Sequence, residues 1–300
     1  MGKAVLNRQK SLLCMIEKAA RPVQHLELTK WAFLLAHETP SKGGRSFYQF
    51  VPYRLGPFSF CLYHEVGGLV RNGYLVDAES DGRKTWWITG DVNRPTGDLR
   101  QGLPDDIARI VERFETTSTD ALLDYVYERF PWFTVNSTKR KLQPRPVAAS
   151  AVFTVGYEGR SVDGLLDLLM RAGINRVLDV RANPVSRRYG FHRRTLSRLC
   201  KNLQLEYVHF PELGIPSAIR RELQSPADYA SLFLRYQRDA LERKTGALDE
   251  VARMMAERPS VLLCMEADAR RCHRGLLADA IAQRSGLRVQ HLGAAHEARV

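Results

Sequence analysis

The sequence is poor in cysteine and has no long hydrophobic run. Its five cysteines are spread over 300 residues and do not have the dense, regular spacing of a secreted disulfide-rich domain. No apolar stretch approaches the roughly 18 residues of a membrane-spanning helix. The N-terminal segment returns to charged residues after a short apolar patch, unlike a signal peptide. These absences predict a cytoplasmic protein with reduced thiols and no membrane contact.

Positive charge is in clear excess. The 45 Lys and Arg residues against 33 Asp and Glu residues give a formal net charge of +12 at pH 7. A field of this sign attracts polyanions and steers anionic ligands towards the protein. Charge therefore predicts nucleic acid or a nucleotide as a partner, without saying which. A solvated basic surface with no such partner is the alternative.

A basic, proline-containing stretch divides the chain. Residues 136–151 read NSTKRKLQPRPVAASA, in which the prolines interrupt regular structure and the like charges extend the backbone. A hydrophobic content of 44% over 300 residues is enough for two buried cores. We predict a domain over residues 1–135, a linker over 136–151 and a second domain over 152–300.

The first domain has the element order of a winged helix. Apolar spacing predicts helices near residues 7–19, 26–37, 58–72, 105–115 and 118–130. Residues 74–89 hold two apolar runs around a turn at Asp81-Gly82, which predicts a hairpin, the wing. The last two helices are additions to the winged-helix core, so this domain is expected to be α+β.

Contacts of this domain with nucleic acid are expected from its basic residues and one aromatic residue. Base recognition needs Arg, Lys, Asn or Gln on the exposed face of residues 58–72, but that segment offers mainly Arg71, beside Glu65 and two glycines. Phosphate contacts are therefore expected mostly from other segments. The candidate nucleic-acid-binding residues are Arg54, Arg71, Arg83, Lys84 and Trp86. Two hypotheses remain open, DNA binding without sequence preference and a protein partner.

The second domain alternates short strands with helices. Five runs rich in β-branched and aromatic residues are found at 152–157, 176–180, 205–210, 260–265 and 288–292. Such alternation predicts a Rossmann-like, doubly wound parallel sheet. The fold class of the chain is thus α/β, with a winged-helix domain followed by a Rossmann-like domain.

Polar clusters follow three of these strands, in the segments GYEGRS, DVRANPVSRRYGFHRR and LLCMEADARRCHR. Ligands of open α/β sheets bind beyond the carboxyl ends of the strands, so we expect the three segments to form one pocket. Arginine forks match phosphate oxygens. The predicted anion-binding residues are Arg160, Ser161, Asp179, Arg181, Ser186, Arg187, Arg188, Arg193 and Arg274. Arg181, Arg187 and Arg274 are expected to converge on the anion, and one of them to hold the Glu266 carboxylate.

The third segment also carries the candidate catalytic residues Cys264, Glu266, Cys272 and His273. A cysteine at a helix N-terminus beside an arginine is expected to have a lowered pKa and to form a reactive thiolate. For Cys264, the alternative is a buried strand thiol. Cys264 and Arg270 fit the Cys-x5-Arg spacing of phosphate-cradling thiolate enzymes, but Glu266 would repel a dianion.

A metal site is the other possibility at this segment. Cys264, Cys272 and His273 offer three soft ligands. Cys-x7-Cys-His, however, is not a familiar spacing for structural zinc, and adjacent residues on a helix point in different directions. We therefore predict no metal site, and the cofactor is unknown.

Four motifs of the second half resemble the uncharacterised family called domain-of-unknown-function 488. They are TVGYEGRS, LDVRANPVSRR, YVHFPELG and LLCMEADARRCHR, in this order and at family-like spacing. The resemblance implies a Rossmann-like domain but no established reaction. The polar positions that it matches are Asp179, Arg181, Ser186, Arg187, Glu212, Gly214, Cys264, Glu266, Cys272, His273 and Arg274. One departure is Tyr157-Glu158, where the family often has His-Ser.

The first half resembles the winged-helix domains of antitoxin-like and DNA-linked bacterial proteins, notably the Panacea type. The segments YRLGPFS, LVRNGYL and LLDYVYERFPWFTVNST carry this resemblance. We expect a nucleic-acid-associated protein whose α/β domain binds a phosphate-bearing ligand or a nucleic-acid end. One alternative is an enzyme acting on a nucleotide or nucleic acid through Cys, Glu and His. The other is a ligand sensor or protein-interaction module in a bacterial defence or stress operon.

Overall fold

The protein consists of two compact units, Met1–Pro144 and Arg145–Val300. The structure is a computed structural model that describes residues 5–80, 82–89, 99–216, 219 and 226–293. The division between the units falls within residues 136–151, the segment predicted to be a linker. No helix in the described part of the chain combines the length and the apolar character needed to cross a bilayer.

Five helices make up most of the described part of the first unit. They are α1 (Asn7–Ala19), α2 (His25–Glu38), α3 (Phe60–Arg71), α4 (Leu103–Phe114) and α5 (Thr119–Arg129). Serine side chains cap the N-termini of α3 and α5. Ser59 accepts a hydrogen bond from the Leu62 amide, and Ser118 accepts one from the Ala121 amide. Such caps satisfy amides that have no partner within the helix. The helices enclose an apolar core around the fully buried Trp31.

Two small antiparallel sheets complete the first unit. Its strands are β1 (Val23–Gln24), β2 (Val51–Tyr53), β3 (Gly56–Phe58), β4 (Leu75–Ser80) and β5 (Arg83–Ile88). One sheet has the order β1-β5-β4, and β2 pairs with β3 in the other. The hairpin predicted over residues 74–89 is present as β4 and β5, while Asp81 of its turn lies outside the described residues.

A five-stranded parallel sheet forms the centre of the second unit. Its strands are β6 (Val152–Gly156), β7 (Arg176–Asp179), β8 (Glu206–His209), β9 (Ser260–Cys264) and β10 (Val289–His291). Their order across the sheet is β10-β6-β9-β7-β8, and every pairing is parallel. The predicted α/β class and parallel sheet are thereby confirmed.

Helices α6 (Val162–Arg171), α7 (Arg193–Asn202), α8 (Pro226–Tyr236), α9 (Thr245–Glu257) and α10 (His273–Ser285) accompany this sheet. Ser161 begins α6 by accepting a hydrogen bond from the Gly164 amide at 3.0 Å. α10 follows β9 after a short 3-10 turn, Ala269–Arg271. The loops at the carboxyl ends of β6, β9 and β7 are therefore the ones that carry the three polar segments.

Gly156 allows two of these loops to approach each other. A Cβ atom at this position would lie 1.8 Å from the Glu266 carbonyl oxygen, which is far inside van der Waals contact. Gly156 is paired with Cys264 in the register of β6 and β9. The absence of a side chain at Gly156 thus lets the loop after β9 cross directly over the end of β6.

Candidate functional site

The three polar segments meet at the carboxyl edge of the parallel sheet. After β6, the Glu158 amide donates to the Met265 carbonyl at 2.8 Å, and the Glu158 carboxylate accepts from the Ala267 amide at 3.0 Å. After β7, the Val180 carbonyl lies 3.1 Å from His273 Nε2. β9 lies between β6 and β7 in the sheet, so its loop contacts both neighbours.

Two thiols, a carboxylate and an imidazole lie together at this edge. We call Cys264, Glu266, Cys272 and His273 the edge cluster. The Sγ atoms of Cys264 and Cys272 lie 3.1 and 3.0 Å from the same oxygen, Glu266 Oε2. His273 Nδ1 lies 3.9 Å from Sγ of Cys264 and 3.8 Å from Sγ of Cys272. Both cysteines and the histidine are buried.

The backbone before α10 explains why neighbouring residues converge. Cys272 has extended dihedral angles, φ −136° and ψ 139°, and precedes the first residue of the helix, His273. The expectation that Cys272 and His273 point in different directions assumed that both lie on the helix, and it is wrong. Asp268 accepts a hydrogen bond from the Arg270 amide and precedes the 3-10 turn, Ala269–Arg271.

The protonation of Cys272 also differs from the expectation. Burial raises the pKa of the Cys272 thiol, and hydrogen bonding and charge from Cys264, with the charge of Glu266, raise it further. Arg274 lowers this pKa, but as the smallest effect. The predicted lowering of the pKa of Cys272 is therefore wrong, because the side chain is enclosed rather than exposed at a helix end.

Arg274 is held inside the protein. It is 2% exposed, and its guanidinium donates to the carbonyl of Glu266 and, at 2.9 Å, to that of Ala267. Its Nε also lies 3.4 Å from the Thr154 hydroxyl. Arg274 thus holds the backbone of the loop after β9, whereas we had expected it to face an anion. The Glu266 carboxylate, expected to be held by Arg181, Arg187 or Arg274, accepts from the two thiols.

Arg181 is likewise engaged in an internal pair. Its Nε and Nη2 donate to the two carboxylate oxygens of Asp179 at 2.8 and 2.5 Å, and Asp179 is fully buried. Nη1 donates to the Phe191 carbonyl at 2.9 Å. Burial is the largest single effect on the pKa of Arg181, and it lowers this pKa. The hydrogen bonds with Asp179 and the charge of Asp179 together outweigh burial, so the pKa of Arg181 is raised. The pair braces the loop after β7.

The remaining predicted anion-binding residues lie nearer the surface. Arg187, Arg188 and Arg193 are exposed. Arg188 also donates to the Arg160 carbonyl, and the Ser186 hydroxyl accepts from the Arg188 amide at 3.1 Å. Arg160 donates to the Gly293 carbonyl at 2.8 Å. Among the predicted anion-binding residues, the exposed arginines are therefore Arg187, Arg188 and Arg193, whereas Arg181 and Arg274 are buried.

Sequence reasoning missed two residues of β8. The Tyr207 hydroxyl donates to Asp179 at 2.5 Å, and His209 Nε2 lies 2.8 Å from the Arg181 carbonyl. Both flank the buried Asp179–Arg181 pair. They are two residues apart on a strand, which places both side chains on one face of the sheet. This spacing of two polar aromatic residues is the sequence feature that could have identified them.

A basic cavity of about 520 Å³ lies in the first unit. Its cationic and ionisable lining residues include His25, Lys30, Arg54, Arg83 and Lys84, and its aromatic ones are Tyr53, Phe58 and Tyr63. Asp120 is at the lining too, paired with Lys139 at 2.6 Å. Three of the five residues predicted to contact nucleic acid, Arg54, Arg83 and Lys84, are thus brought together.

The other two predicted residues lie elsewhere. Trp86 is 3% exposed and stacks on His25 with ring centroids 3.7 Å apart. Its ring is therefore part of the wall behind a lining residue, and its contact with phosphates stays a prediction. Arg71 is exposed in the last turn of α3 and is not at the cavity lining.

Lys30 is the buried cation of this cavity. Its Nζ donates to the Pro57 carbonyl at 2.7 Å, and burial lowers its pKa from 10.5 to about 7. Between these two values the unfolded chain binds a proton that the folded protein does not. The free energy of unfolding must therefore rise with pH in this window, by up to about 1.4 kcal/mol per pH unit from this one group.

Replacing Lys30 with methionine should remove that rise. From pH 8 to pH 9, we expect the unfolding free energy of wild type to increase by about 1 kcal/mol relative to that of Lys30→Met. Urea unfolding followed by tryptophan fluorescence measures it. Lys18→Met, at the exposed end of α1, is the control and should give the same difference at both pH values. Parallel pH profiles for wild type and Lys30→Met would contradict the assignment.

Comparison with known proteins concerns part of the second unit. The model of a family described as "Domain of unknown function DUF488" matches residues 161–281. The C-terminal resemblance is thereby supported. The match spans β7, β8 and β9 and includes all four residues of the edge cluster, but the family's description names no activity. No curated protein and no solved structure matches the chain, and the Panacea-type resemblance of the first half is not confirmed.

Proposed function

We propose that the protein binds nucleic acid, with the first unit acting as a winged helix. The order of α1, β1, α2, α3 and the β4–β5 hairpin, interrupted by the β2–β3 pair before α3, supports this part of the proposal, as does the sheet order β1-β5-β4. The observation that carries the proposal is the basic cavity. It joins Arg54, Arg83 and Lys84 to aromatic rings on a chain of net charge +12.

The lining of the cavity suits a nucleic-acid backbone and a base that is not paired. Exposed arginine and lysine side chains bind phosphate oxygens. Tyr53, Phe58 and Tyr63 line the cavity, and aromatic side chains are the type on which unpaired bases stack. The α3 segment holds Gly67 and Gly68 and few groups able to distinguish base edges. The proposed binding is therefore sequence-tolerant, and it favours single strands or duplex ends.

The second unit adds a separate basic surface. Arg187, Arg188 and Arg193 are exposed on one loop and the start of α7, where a phosphate could be held by charge-assisted hydrogen bonds. In contrast, burial and neighbouring negative groups raise the pKa of Cys272. We therefore propose anion binding for this unit and do not propose thiolate catalysis.

Binding of fluorescent single-stranded and blunt duplex DNA, measured by anisotropy over a range of salt concentrations, tests the proposal. Arg54→Ala, Arg83→Ala and Lys84→Ala combined should weaken binding at least about tenfold at low salt and reduce the slope of log K against log salt by about two to three. The proposal also predicts tighter binding of single strands than of internal duplex.

A matched triple variant controls for net charge. Arg45, Arg100 and Arg109 are exposed residues of the same unit that do not line the cavity. Their combined replacement by alanine removes the same charge and should change affinity by less than about threefold, since distant exposed charges are screened. Absence of binding by wild type at low salt, or equal losses from the two triple variants, would overturn the proposal.

A further inference from the structure

We propose that the edge cluster is a binding site for one divalent transition-metal ion of the zinc class. The ligands are Sγ of Cys264, Sγ of Cys272 and Nδ1 of His273, with a carboxylate oxygen of Glu266 as the fourth. The ligand atoms of Cys264, Cys272 and His273 all lie within 4.8 Å of one another. The sequence argument against a metal assumed that Cys272 and His273 diverge, and the extended backbone at Cys272 removes it.

The spacing of these atoms is close to that of a tetrahedral site. Zinc bonds of about 2.0–2.3 Å place neighbouring ligand atoms about 3.3–3.8 Å apart. The two sulfur–nitrogen distances are 3.9 and 3.8 Å, and the two sulfur–oxygen distances are 3.1 and 3.0 Å. Shifts of about half an ångström or less bring these four of the six ligand–ligand distances to the spacing of a zinc site.

The imidazole is held in the tautomer that a metal needs. His273 Nε2 lies 3.1 Å from the Val180 carbonyl, and a carbonyl oxygen can only accept a hydrogen bond. Nε2 must therefore carry the proton, and in the neutral ring Nδ1 presents its lone pair to the two thiols. A backbone carbonyl fixing the far nitrogen of a ligating histidine is a common arrangement around metals.

The charges of the site also balance when a divalent ion is present. On binding, the ion displaces the two thiol protons to solvent, leaving two thiolates and one carboxylate. Arg274 contacts the Glu266 carbonyl, so its positive charge lies beside the cluster. The divalent ion and Arg274 together neutralise the three negative groups. Burial of Cys264, Cys272 and His273 keeps competing water away from the bonds.

Thiolate and imidazole ligands select the class of metal. Soft sulfur ligands favour zinc and similar ions over magnesium or calcium, which prefer oxygen. With four protein ligands the site is closed, which is typical of zinc that stabilises a fold. It would tie the end of β9 to the start of α10.

Reconstitution of the full chain with Co²⁺ alone tests this assignment. The protein is stripped with a chelator in the presence of a non-coordinating reductant, and Co²⁺ is then added. We expect about one equivalent to bind, with a thiolate-to-cobalt charge-transfer band and the visible bands of tetrahedral cobalt, both abolished by added Zn²⁺.

Single variants identify the ligands. Cys272→Ala and His273→Gln should lose the tetrahedral cobalt spectrum, and Glu266→Gln should weaken Co²⁺ binding about tenfold or more. Cys200→Ala, which removes a buried thiol elsewhere in the second unit, should keep the spectrum. Circular dichroism of each stripped variant shows whether a lost signal reflects a lost ligand or an unfolded chain, and Glu266→Gln is the least disruptive change.

Three results would overturn the proposal. One is a folded wild-type protein that gives no thiolate charge-transfer band with Co²⁺. Another is loss of the band in Cys200→Ala to the same extent as in Cys272→Ala. The third is a Cys264–Cys272 disulfide found by peptide mapping as the resident state of protein purified without oxidant.

Discussion

Asp179→Ala is expected to destabilise the second unit by about 3–5 kcal/mol, because it leaves the buried Arg181 guanidinium without its carboxylate. Asp179 is fully buried and Arg181 is 6% exposed. The carboxylate accepts from Arg181 through both oxygens and from the Tyr207 hydroxyl. Without this carboxylate, the buried Arg181 guanidinium and the Tyr207 hydroxyl lose their hydrogen-bond acceptor. Urea unfolding monitored by circular dichroism measures the loss.

Two comparisons show whether the stranded charge is the cause. The double variant Asp179→Leu with Arg181→Met removes both charges and should lose less stability than Asp179→Ala alone. Asp249→Ala breaks an ion pair with Arg284 in which the two side chains are 66% and 29% exposed, and should cost at most about 1 kcal/mol. If the double variant were less stable than Asp179→Ala, the unpaired Arg181 charge would not be the cause of the loss, and this explanation would fail.

Arg274→Ala is expected to cost about 3–5 kcal/mol and to disorganise the loop after β9, since it combines a large cavity with lost hydrogen bonds. Arg274 is among the largest fully buried side chains of the described residues. Its guanidinium donates hydrogen bonds to the carbonyls of Glu266 and Ala267. A lysine has three donors on a flexible stem and cannot reproduce the planar fork, so Arg274→Lys should lie between alanine and wild type.

Thermal unfolding and amide hydrogen exchange check this expectation. Exchange at residues 265–269 should accelerate in Arg274→Ala well before global unfolding. Arg243→Ala, at an exposed position between α8 and α9, is the matched control and should change stability by less than about 0.5 kcal/mol. Wild-type stability in Arg274→Ala, accompanied by weaker phosphate binding, would restore the original idea that Arg274 binds an anion.

Part of this arrangement follows from the sequence. The buried runs VFTVG and SVLLC identify parallel strands, because such strands are buried on both faces and read as continuous apolar stretches. Parallel strands align their carboxyl ends, and so the meeting of the loops after β6, β7 and β9 could be predicted. The strand order could not, since no local pattern places β9 between β6 and β7.

The roles of the arginines could not be predicted either. Arginines clustered in loops ordinarily face solvent, but Arg181 and Arg274 are buried by partners that no sequence motif marks. One partner is a carboxylate two residues away, and the others are backbone carbonyls of distant or irregular segments. Cys272 was expected at the N-terminus of a helix, but it is extended and buried just before α10, so the predicted direction of Cys272 and the predicted shift of its pKa are both wrong.

The position of β9 has a consequence for synthesis of the chain on the ribosome. β6 and β7 emerge well before residues 260–264, yet they do not pair with each other; both pair with β9. β7 and β8 can form a pair early, whereas both edges of β6 stay unpaired until β9 and β10 have been synthesised. Unpaired edges are sites of aggregation, and such long-range pairing is slow. The nascent second unit therefore depends on its last third to close the gap between its first two strands.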